Sequence, residues 1–291
     1  MDVLSFLVAL LFSTVRMAVP LIFASYGGLL SERSGVVNIA LEGFMLVGAF
    51  TGASVAHFTQ NPWMGLLAAV LLGGIYAALY AFLVIEIKAN QIVTGTALNL
   101  LAIGAIPFCS KIIFDSTGST PTLAQEFRFE LAPVILLAVI LPLFYFWFYK
   151  THSGLWLRFA GEHPKALITA GINLKKVRWS AVIASGFFAA TGGASLSLWL
   201  ASAYSPLMSG GRGFMALAAL IFGRWKPVPT LLACLFFGLA DAIQIRLQGV
   251  SLAGFEIPVQ FIQVLPYVVT IVALAGVLGK SRAPKALGQE I

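Results

Sequence analysis

The sequence predicts an all-α fold, a polytopic transmembrane helical bundle of about 8–10 spans that includes short or broken helices. Of its 291 residues, 59% are apolar and only 10% are charged, whereas an ordinary soluble domain carries about 25% charged residues. The mean hydropathy is +0.95. Apolar runs close to the ~20 residues that a helix needs to cross a bilayer also recur along the chain. These observations exclude a soluble globular protein.

Eight apolar runs are predicted to form spans. They cover residues 3–24, 39–56, 64–85, 92–109, 131–149, 179–203, 228–245 and 261–279. A ninth run, residues 214–222, is too short to cross about 30 Å as a straight helix, so we predict a broken or re-entrant element there. Residues 1–279 thus form one transmembrane domain, and residues 280–291 form a cytoplasmic tail.

The connection at residues 150–178 determines the orientation in the membrane. It carries six Lys and Arg residues but a single acid, Glu162, and such an excess of positive charge marks a cytoplasmic loop. Counting spans from this loop places the connections 86–90 and 223–227 inside as well. The polar segment 111–130 and the N-terminus then lie outside.

A short internal similarity predicts an inverted repeat. The tetrapeptide at residues 42–45, EGFM, resembles the tetrapeptide at residues 212–215, RGFM. The predicted topology gives these two segments opposite directions across the membrane. Repeats related in this way are common in transporters.

The densest polar cluster covers residues 31–43, SERSGVVNIALEG, between the first two runs. Asn38 and Glu42 are four residues apart and share one helix face. A carboxylate within a span costs ~2.5 kcal/mol or more unless it faces protein, water or a partner. Arg16 and Arg33 are candidate partners. Glu42 either ties helices together or contacts a substrate.

A second polar stripe starts the fourth run. Gln91, Gly95 and Asn99 follow one another at four-residue intervals, with Thr94 and Thr96 alongside. Such a stripe either lines an aqueous path or packs one helix against another through small and amide side chains. Both interpretations remain open from the sequence.

A third polar face contains Asp241, with Gln244 and Gln248 three and seven residues later. Carboxylates in spans serve proton relays in some transporters, and in other proteins they are structural. The sequence leaves both roles open for Asp241.

Residues 164–170 of the cytoplasmic loop are predicted to form a short helix. Pro164 suits the first turn, Glu162 suits the positive end of the helix, and Gly171 is a C-terminal stop. The apolar ridge of this helix consists of Ala166, Leu167 and Ala170. An apolar ridge on a water-facing loop docks either with a partner protein or on the membrane surface.

No catalytic or metal-binding pattern is present in the sequence. Cys109 and Cys234 lie in apolar segments, and the three His residues do not have metal-ligand spacing. The positive charges collect in a few loops and do not form a basic face, which argues against nucleic acid. Transport without chemistry of its own is therefore the natural class, and we expect no metal, no cofactor and no enzymatic activity.

Three segments carry a family resemblance. Residues 31–45, the loop 161–164 with 170–172, and residues 211–225 are similar to the permeases of ABC importers for ribose, other simple sugars, nucleosides and branched-chain amino acids. The similarity covers about residues 16–279. The form of the first segment most resembles the nucleoside and simple-sugar branch.

The resemblance implies half of a transmembrane pore in a prokaryotic cytoplasmic (inner) membrane. The pore pairs this permease domain, residues 1–279, with a second, identical or different permease. Two cytoplasmic ATPases would use ATP and Mg, and an extracellular or periplasmic binding protein would deliver a nucleoside or simple sugar.

The same resemblance implies roles for the residues singled out above. The ATPase-coupling residues would be Gly161, Glu162, His163, Pro164, Ala166, Leu167, Ala170 and Gly171. The substrate path is predicted separately, from the polar stripes of the spans, to be lined by Asn38, Glu42, Gln91, Thr94, Gly95, Asn99 and Asp241. The alternative from another class is a proton- or sodium-coupled secondary transporter of small polar solutes, with Asp241 or Glu42 as the coupling carboxylate.

Overall fold

The computed structural model describes residues 3–247, 251–252, 255–256, 264, 268 and 282–289. The helices in these residues are α1 (Val3–Arg33), α2 (Leu41–Thr59), α3 (Pro62–Ala81), α4 (Gln91–Phe114), α5 (Ala132–Lys150), α6 (His152–Glu162), α7 (Pro164–Thr169), α8 (Leu174–Ser195), α9 (Arg212–Phe222) and α10 (Pro227–Leu247). Two-residue strands, β1 (Ser251–Leu252) and β2 (Phe255–Glu256), pair antiparallel. Seven of the described helices are long and apolar enough to cross a membrane. The predicted span at residues 261–279 lies outside the described residues.

The largest differences from the sequence-based prediction are in α1 and in the cytoplasmic loop. Helix α1 continues to Arg33, nine residues beyond the predicted end of the first span at residue 24. Ser25, Ser31 and Glu32 of this extension are buried in the bundle, so tertiary packing outweighs their low hydropathy. The cytoplasmic loop also contains an additional helix, α6, which the sequence did not indicate.

Helices α1 and α8 form an antiparallel pair at the centre of the bundle. A Cβ atom on Gly27 would lie 2.7 Å from the carbonyl oxygen of Ser185, and one on Gly192 would lie 2.6 Å from that of Pro20. Only glycine permits such close contact between backbones, and small residues have this role in membrane helix packing. The numbering of the contacts shows that the two helices run in opposite directions.

Each helix of the central pair also packs against an outer helix at a glycine contact. Helix α3 packs on α8, where a Cβ on Gly186 would lie 2.5 Å from the Gly73 oxygen. Helix α10 packs on α1, where a Cβ on Gly238 would lie 2.8 Å from the Thr14 oxygen. The outer helices α3 and α10 therefore have equivalent positions, each packed on one helix of the central pair.

Helix α2 and the segment before it run parallel to α8. The amide Nδ2 of Asn38 donates to Ser185 Oγ at 2.8 Å, and Ser197 Oγ donates to the carbonyl oxygen of Ala49 at 2.8 Å. The residue numbers increase together along both helices, so α2 points in the same direction as α8.

Helix α9 runs parallel to α1. Ser25 Oγ donates to the carbonyl oxygen of Ala216 at 3.1 Å, and Trp225 Nε1 donates to Glu32 Oε2 at 2.5 Å. Because α1 and α8 are antiparallel, α2 and α9 have opposite directions. Units α1–α2–α3 and α8–α9–α10 thus have the arrangement of an inverted repeat, and the two similar tetrapeptides begin its equivalent helices.

The short run is a broken element, as the sequence predicted. Residues 201–211 are non-helical and lead into α9, which has only 11 residues. The outer loop stabilises this segment, since the N–H of Thr120 donates to the Tyr204 oxygen at 3.1 Å and that of Leu123 to the Ser202 oxygen at 2.7 Å.

The described part of the tail, residues 282–289, packs against the cytoplasmic end of the bundle. The N–H of Ala286 donates to the Gly161 oxygen at 2.8 Å, and that of Gly288 donates to the Gly35 oxygen at 3.0 Å. Ala286 is 3% exposed. Arg178 on α8 donates from Nη1 to the Gln289 oxygen at 3.4 Å. This segment joins the loop after α1 to the end of α6.

Candidate functional site

The carboxylate of Glu42 lies at the N-terminus of α9. Its Oε1 accepts hydrogen bonds from Ser209 Oγ at 2.6 Å and from the Gly211 N–H at 2.9 Å, and its Oε2 accepts from the Gly213 N–H at 2.6 Å. The side chain is buried. Backbone N–H groups in the first turn of a helix have no partner within the helix, and a negative charge there is favourable. Glu42 on α2 therefore caps α9.

The arginines expected to pair with Glu42 lie elsewhere. Arg33 Nη1 forms an ion pair with Glu162 Oε1 at 3.0 Å, and the guanidinium carbon of Arg16 lies 5.7 Å from the ring centroid of Trp199. The prediction of Arg16 and Arg33 as partners was wrong because it considered charges alone. The N-terminus of α9 supplies donors that a charge count does not include.

Asn99 on α4 has the same role for α2 that Glu42 has for α9. Its Oδ1 accepts from the Gly43 N–H in the first turn of α2 at 2.8 Å, and its Nδ2 donates to the Ile39 oxygen at 2.9 Å. Asn99 therefore caps α2, whose second residue, Glu42, caps α9. The connection that leads into α2 and the connection that leads into α9 are therefore held by one continuous set of hydrogen bonds.

The other residues of the α4 stripe face the same connection. Gln91 Oε1 accepts from the Val37 N–H at 2.7 Å, and Gly95 lies against Ile39 and Ala40. Thr94 is buried. The polar atoms of Gln91 and Asn99 are thus hydrogen-bonded to the segment before α2 and to its first turn. These contacts favour helix packing over an aqueous path, the two interpretations that the sequence left open.

Replacing Asn99 with Leu is expected to reduce the yield and thermal stability of the protein. The change leaves the Gly43 N–H and the Ile39 carbonyl buried without their partner, and each such group costs about 1–3 kcal/mol. Thr96→Leu is the matched control because Thr96 is exposed in the same part of α4. Fluorescence-detected size-exclusion after heating measures both variants. Normal stability of Asn99→Leu with lost transport would instead place Asn99 on the substrate path.

Asp241 on α10 belongs to the same cluster through α9. Its Oδ2 lies 3.7 Å from Arg212 Nη2, and Arg212 is the first residue of α9. The side chains of Asp241 and Arg212 are 15% and 23% exposed, so the pair is mostly removed from solvent. Gln244 lies on the same helix, and Gln248 lies outside the described residues.

The cytoplasmic helix α7 begins and ends where the sequence predicted, within one residue. Pro164 is its first residue, and His163 precedes it as the N-cap. Gly171 has a φ of +77°, a left-handed conformation that glycine adopts without strain. The N–H of Gly171 donates to the Ile168 oxygen at 3.0 Å, and that of Ile172 donates to the Leu167 oxygen at 3.0 Å. These two bonds form a Schellman motif.

The expected apolar ridge of α7 is divided between two faces. Leu167 is buried and packs with Ala160 and Leu174, so it anchors α7 to the bundle. Ala166 and Ala170 are exposed, together with Ile168, which is 51% exposed and was not part of the predicted ridge. The exposed apolar residues of α7 are therefore Ala166, Ile168 and Ala170, and Leu167 of the predicted ridge is not accessible to a partner.

The base of α7 is fixed by Gly161 and Glu162 at the end of α6. Glu162 is ion-paired with Arg33, and a Cβ on Gly161 would lie 2.5 Å from the Arg33 oxygen. The Gly161 oxygen accepts the hydrogen bond from Ala286. The end of α1, the tail and the start of α7 therefore meet at one point.

Comparison with known proteins identifies relatives over nearly the whole chain. The family model described as "branched-chain amino acid transport system / permease component" matches residues 10–274. The guanosine ABC transporter permease protein NupQ of Bacillus subtilis is 38% identical, over 99% of this chain and 98% of its own. The nucleoside ABC transporter permease protein NupC of Lactococcus lactis is 35% identical, over 99% and 98%. The putative glucose ABC transporter permease protein TsgC13 of Haloferax volcanii is 36% identical, over 86% and 81%.

Proposed function

We propose that this chain, which belongs to the family of branched-chain amino acid transport system permease components, forms half of a pore that imports a nucleoside. The chain is a multi-pass permease subunit of an ABC transporter, and the proposal proceeds from that membership. The near-complete match to two permeases named for guanosine and nucleosides carries the choice of substrate. A simple sugar is the second candidate, because a similarly related permease is named for glucose.

The contacts of the intramembrane acids support ATP-driven import over ion-coupled transport. A coupling carboxylate must gain and lose a proton or bind a cation during the cycle. Glu42 is occupied by three hydrogen-bond donors, and Asp241 lies beside Arg212. Both residues that a secondary transporter would use therefore have protein partners.

The partners follow from the class of transporter. A permease of this class works with ATPase and binding-protein subunits, and the specific set we propose is a second permease, two cytoplasmic ATPases that use ATP and Mg, and an external binding protein. The exposed Ala166, Ile168 and Ala170 of α7 would fit an apolar groove on the ATPase. Helix α7 is compact and bounded by Pro164 and Gly171, so it moves as one body.

The contacts at the base of α7 suggest how its movement reaches the bundle. Glu162 connects the end of α6 to Arg33, and the tail connects Gly161 to Gly35. The connection after Arg33 leads directly to Asn38 and Glu42. We propose that ATP-driven displacement of α7 moves this connection, and with it the cap that holds α9.

Replacing Ala286 with Glu is expected to lower transport about tenfold or more, because an unpaired carboxylate cannot occupy the buried site between the tail and Gly161. ATPase recruitment is expected to remain, since the exposed face of α7 is unchanged. Ala283→Glu is the matched control because Ala283 is exposed in the same segment. Uptake and ATPase pull-down are measured on both. Equal uptake by the two variants would show that the tail takes no part in coupling.

The proposed function is tested by reconstituting this chain with a second permease, an ATPase and a binding protein from the same organism. Uptake of labelled guanosine into proteoliposomes is expected to need ATP and the binding protein together, and the permease alone is expected to hydrolyse no ATP. Labelled glucose in parallel vesicles separates the two candidate substrates. Uptake driven by a proton or sodium gradient without the ATPase would overturn the proposal.

A further inference from the structure

Two arginines, Arg16 and Arg128, lie near the outer side of the bundle. Arg16 lies over the ring of Trp199, and Arg128 Nη2 donates to the Trp199 carbonyl oxygen at 3.3 Å. Neither forms a salt bridge in the described part of the chain. The Nε atoms of both are buried and have no hydrogen-bond partner among the residues that the structure describes. A guanidinium removed from water is unfavourable unless an anion or hydrogen-bond acceptors compensate it.

Both guanidinium groups line one cavity of about 210 Å³. Its walls also include Phe12, Gln125, Phe129 and Trp199. Glu130 also lines the cavity, so its floor carries two positive charges and one negative charge. The cavity has room and net positive charge for an anionic group, and arginine pairs bind phosphate oxygens well because each guanidinium offers parallel donors.

The cavity lies next to the start of α5. Phe129 lines the cavity and also a gap of about 10 Å³ formed with Phe23 and Leu136, which is too small for an acyl chain. Further along α5, Ile140 and Phe144 line a separate apolar space of about 330 Å³ together with residues of α1 and α8. A lipid chain that leaves the cavity would therefore run over the surface of α5.

The outward side of α5 is suited to lipid. Leu131, Ile135, Val139 and Leu143 recur every fourth residue and are 48%, 62%, 53% and 62% exposed. Such a stripe of large apolar side chains on a spanning helix faces hydrocarbon. The stripe therefore borders the bilayer, and the cavity with the two arginines lies at its outer end.

We propose that this cavity binds the phosphate of an anionic phospholipid of the outer leaflet, with Arg16 and Arg128 on the phosphate and an acyl chain along the exposed stripe of α5. The headgroup supplies an anion to a cavity whose net charge is positive. The acyl chain covers the stripe as far as the apolar space at Ile140 and Phe144. A carboxylate of a soluble binding protein would satisfy the charges only, and it would make no contact with the stripe.

Native mass spectrometry of the purified chain tests the site. Phosphatidylglycerol and phosphatidylcholine with identical acyl chains are titrated onto delipidated protein. We expect the wild-type chain to bind phosphatidylglycerol about tenfold or more tightly than phosphatidylcholine. Arg16→Gln with Arg128→Gln should abolish this preference. Arg224→Gln is the matched control, because it removes an exposed arginine on the cytoplasmic side.

Several outcomes would overturn the proposal. The wild-type chain could show no preference between the two lipids, or the double variant could keep the preference. Displacement of phosphatidylglycerol by millimolar inorganic phosphate would indicate an anion site that does not recognise lipid. Loss of binding-protein docking in the double variant with unchanged lipid binding would assign the arginines to that partner. If the double variant does not fold, the wild-type comparison and the Arg16→Lys, Arg128→Lys variant decide, since lysines should keep part of the preference.

Discussion

Replacing Glu42 with Ala is expected to destabilise the protein by about 3 kcal/mol or more, because hydrogen bonds to charged groups contribute about 1.5–3 kcal/mol each. The change leaves Ser209 and the N–H groups of Gly211 and Gly213 buried without an acceptor. The start of α9 then has no cap. Thermal unfolding of the purified chain and the yield of assembled complex measure the effect.

Two variants define the origin of the Glu42 effect. Glu42→Gln keeps one oxygen as an acceptor but removes the charge, so its stability should lie between those of Glu42→Ala and the wild-type chain. Glu126→Ala removes an exposed carboxylate from the outer loop and should behave as wild type. Normal assembly of Glu42→Ala with an altered substrate preference would contradict the capping role and favour direct contact with the substrate.

The double substitution Ala166→Glu and Ala170→Glu is expected to abolish ATPase recruitment and therefore transport. Both alanines are on the exposed face of α7, so the permease should still fold and insert. Burying two carboxylates against an apolar partner surface costs several kcal/mol, which corresponds to about a hundredfold or more in Kd. Pull-down of the ATPase from detergent extract measures recruitment.

The control for this variant is a pair of changes elsewhere. Ala283→Glu introduces the same side chain at another exposed cytoplasmic position and should leave recruitment intact. Leu167→Ala should weaken the attachment of α7 to the bundle without changing the exposed Ala166 and Ala170. If the double variant bound the ATPase at the wild-type level while α7 lost contact with lipid, α7 would be an interfacial helix.

Features encoded locally in the sequence were predictable. The spans follow from hydropathy, and the bounds of α7 follow from Pro164 and Gly171, because these residues act on their own backbone. The short α9 was recognised from its length between Arg212 and Arg224. Opposite directions for the two similar tetrapeptides followed from the positive charge of the cytoplasmic loop.

Features that depend on distant contacts were not predictable. The partners of Glu42 lie 167 to 171 residues later in the chain and are mostly backbone groups, which no residue pattern identifies. Leu167 was predicted to lie on the exposed ridge of α7, but it is buried, whereas Ile168 is exposed. A helix of six residues is too short for its sequence periodicity to show which side faces the bundle. The end of α1 was missed because burial on α8, not hydropathy, extends it.

The docking of the tail has a consequence for how the protein is made. Residues 284–289 leave the ribosome only after α1 to α10 have been synthesised, yet they contact Gly35, which leaves it among the first. The loop after α1 must therefore stay without this contact throughout membrane insertion, while later helices enter the bilayer. The contacts between the tail, Gly35 and the end of α6 are therefore completed only after α10 has been made, so the proposed coupling path is not assembled in a half-inserted chain.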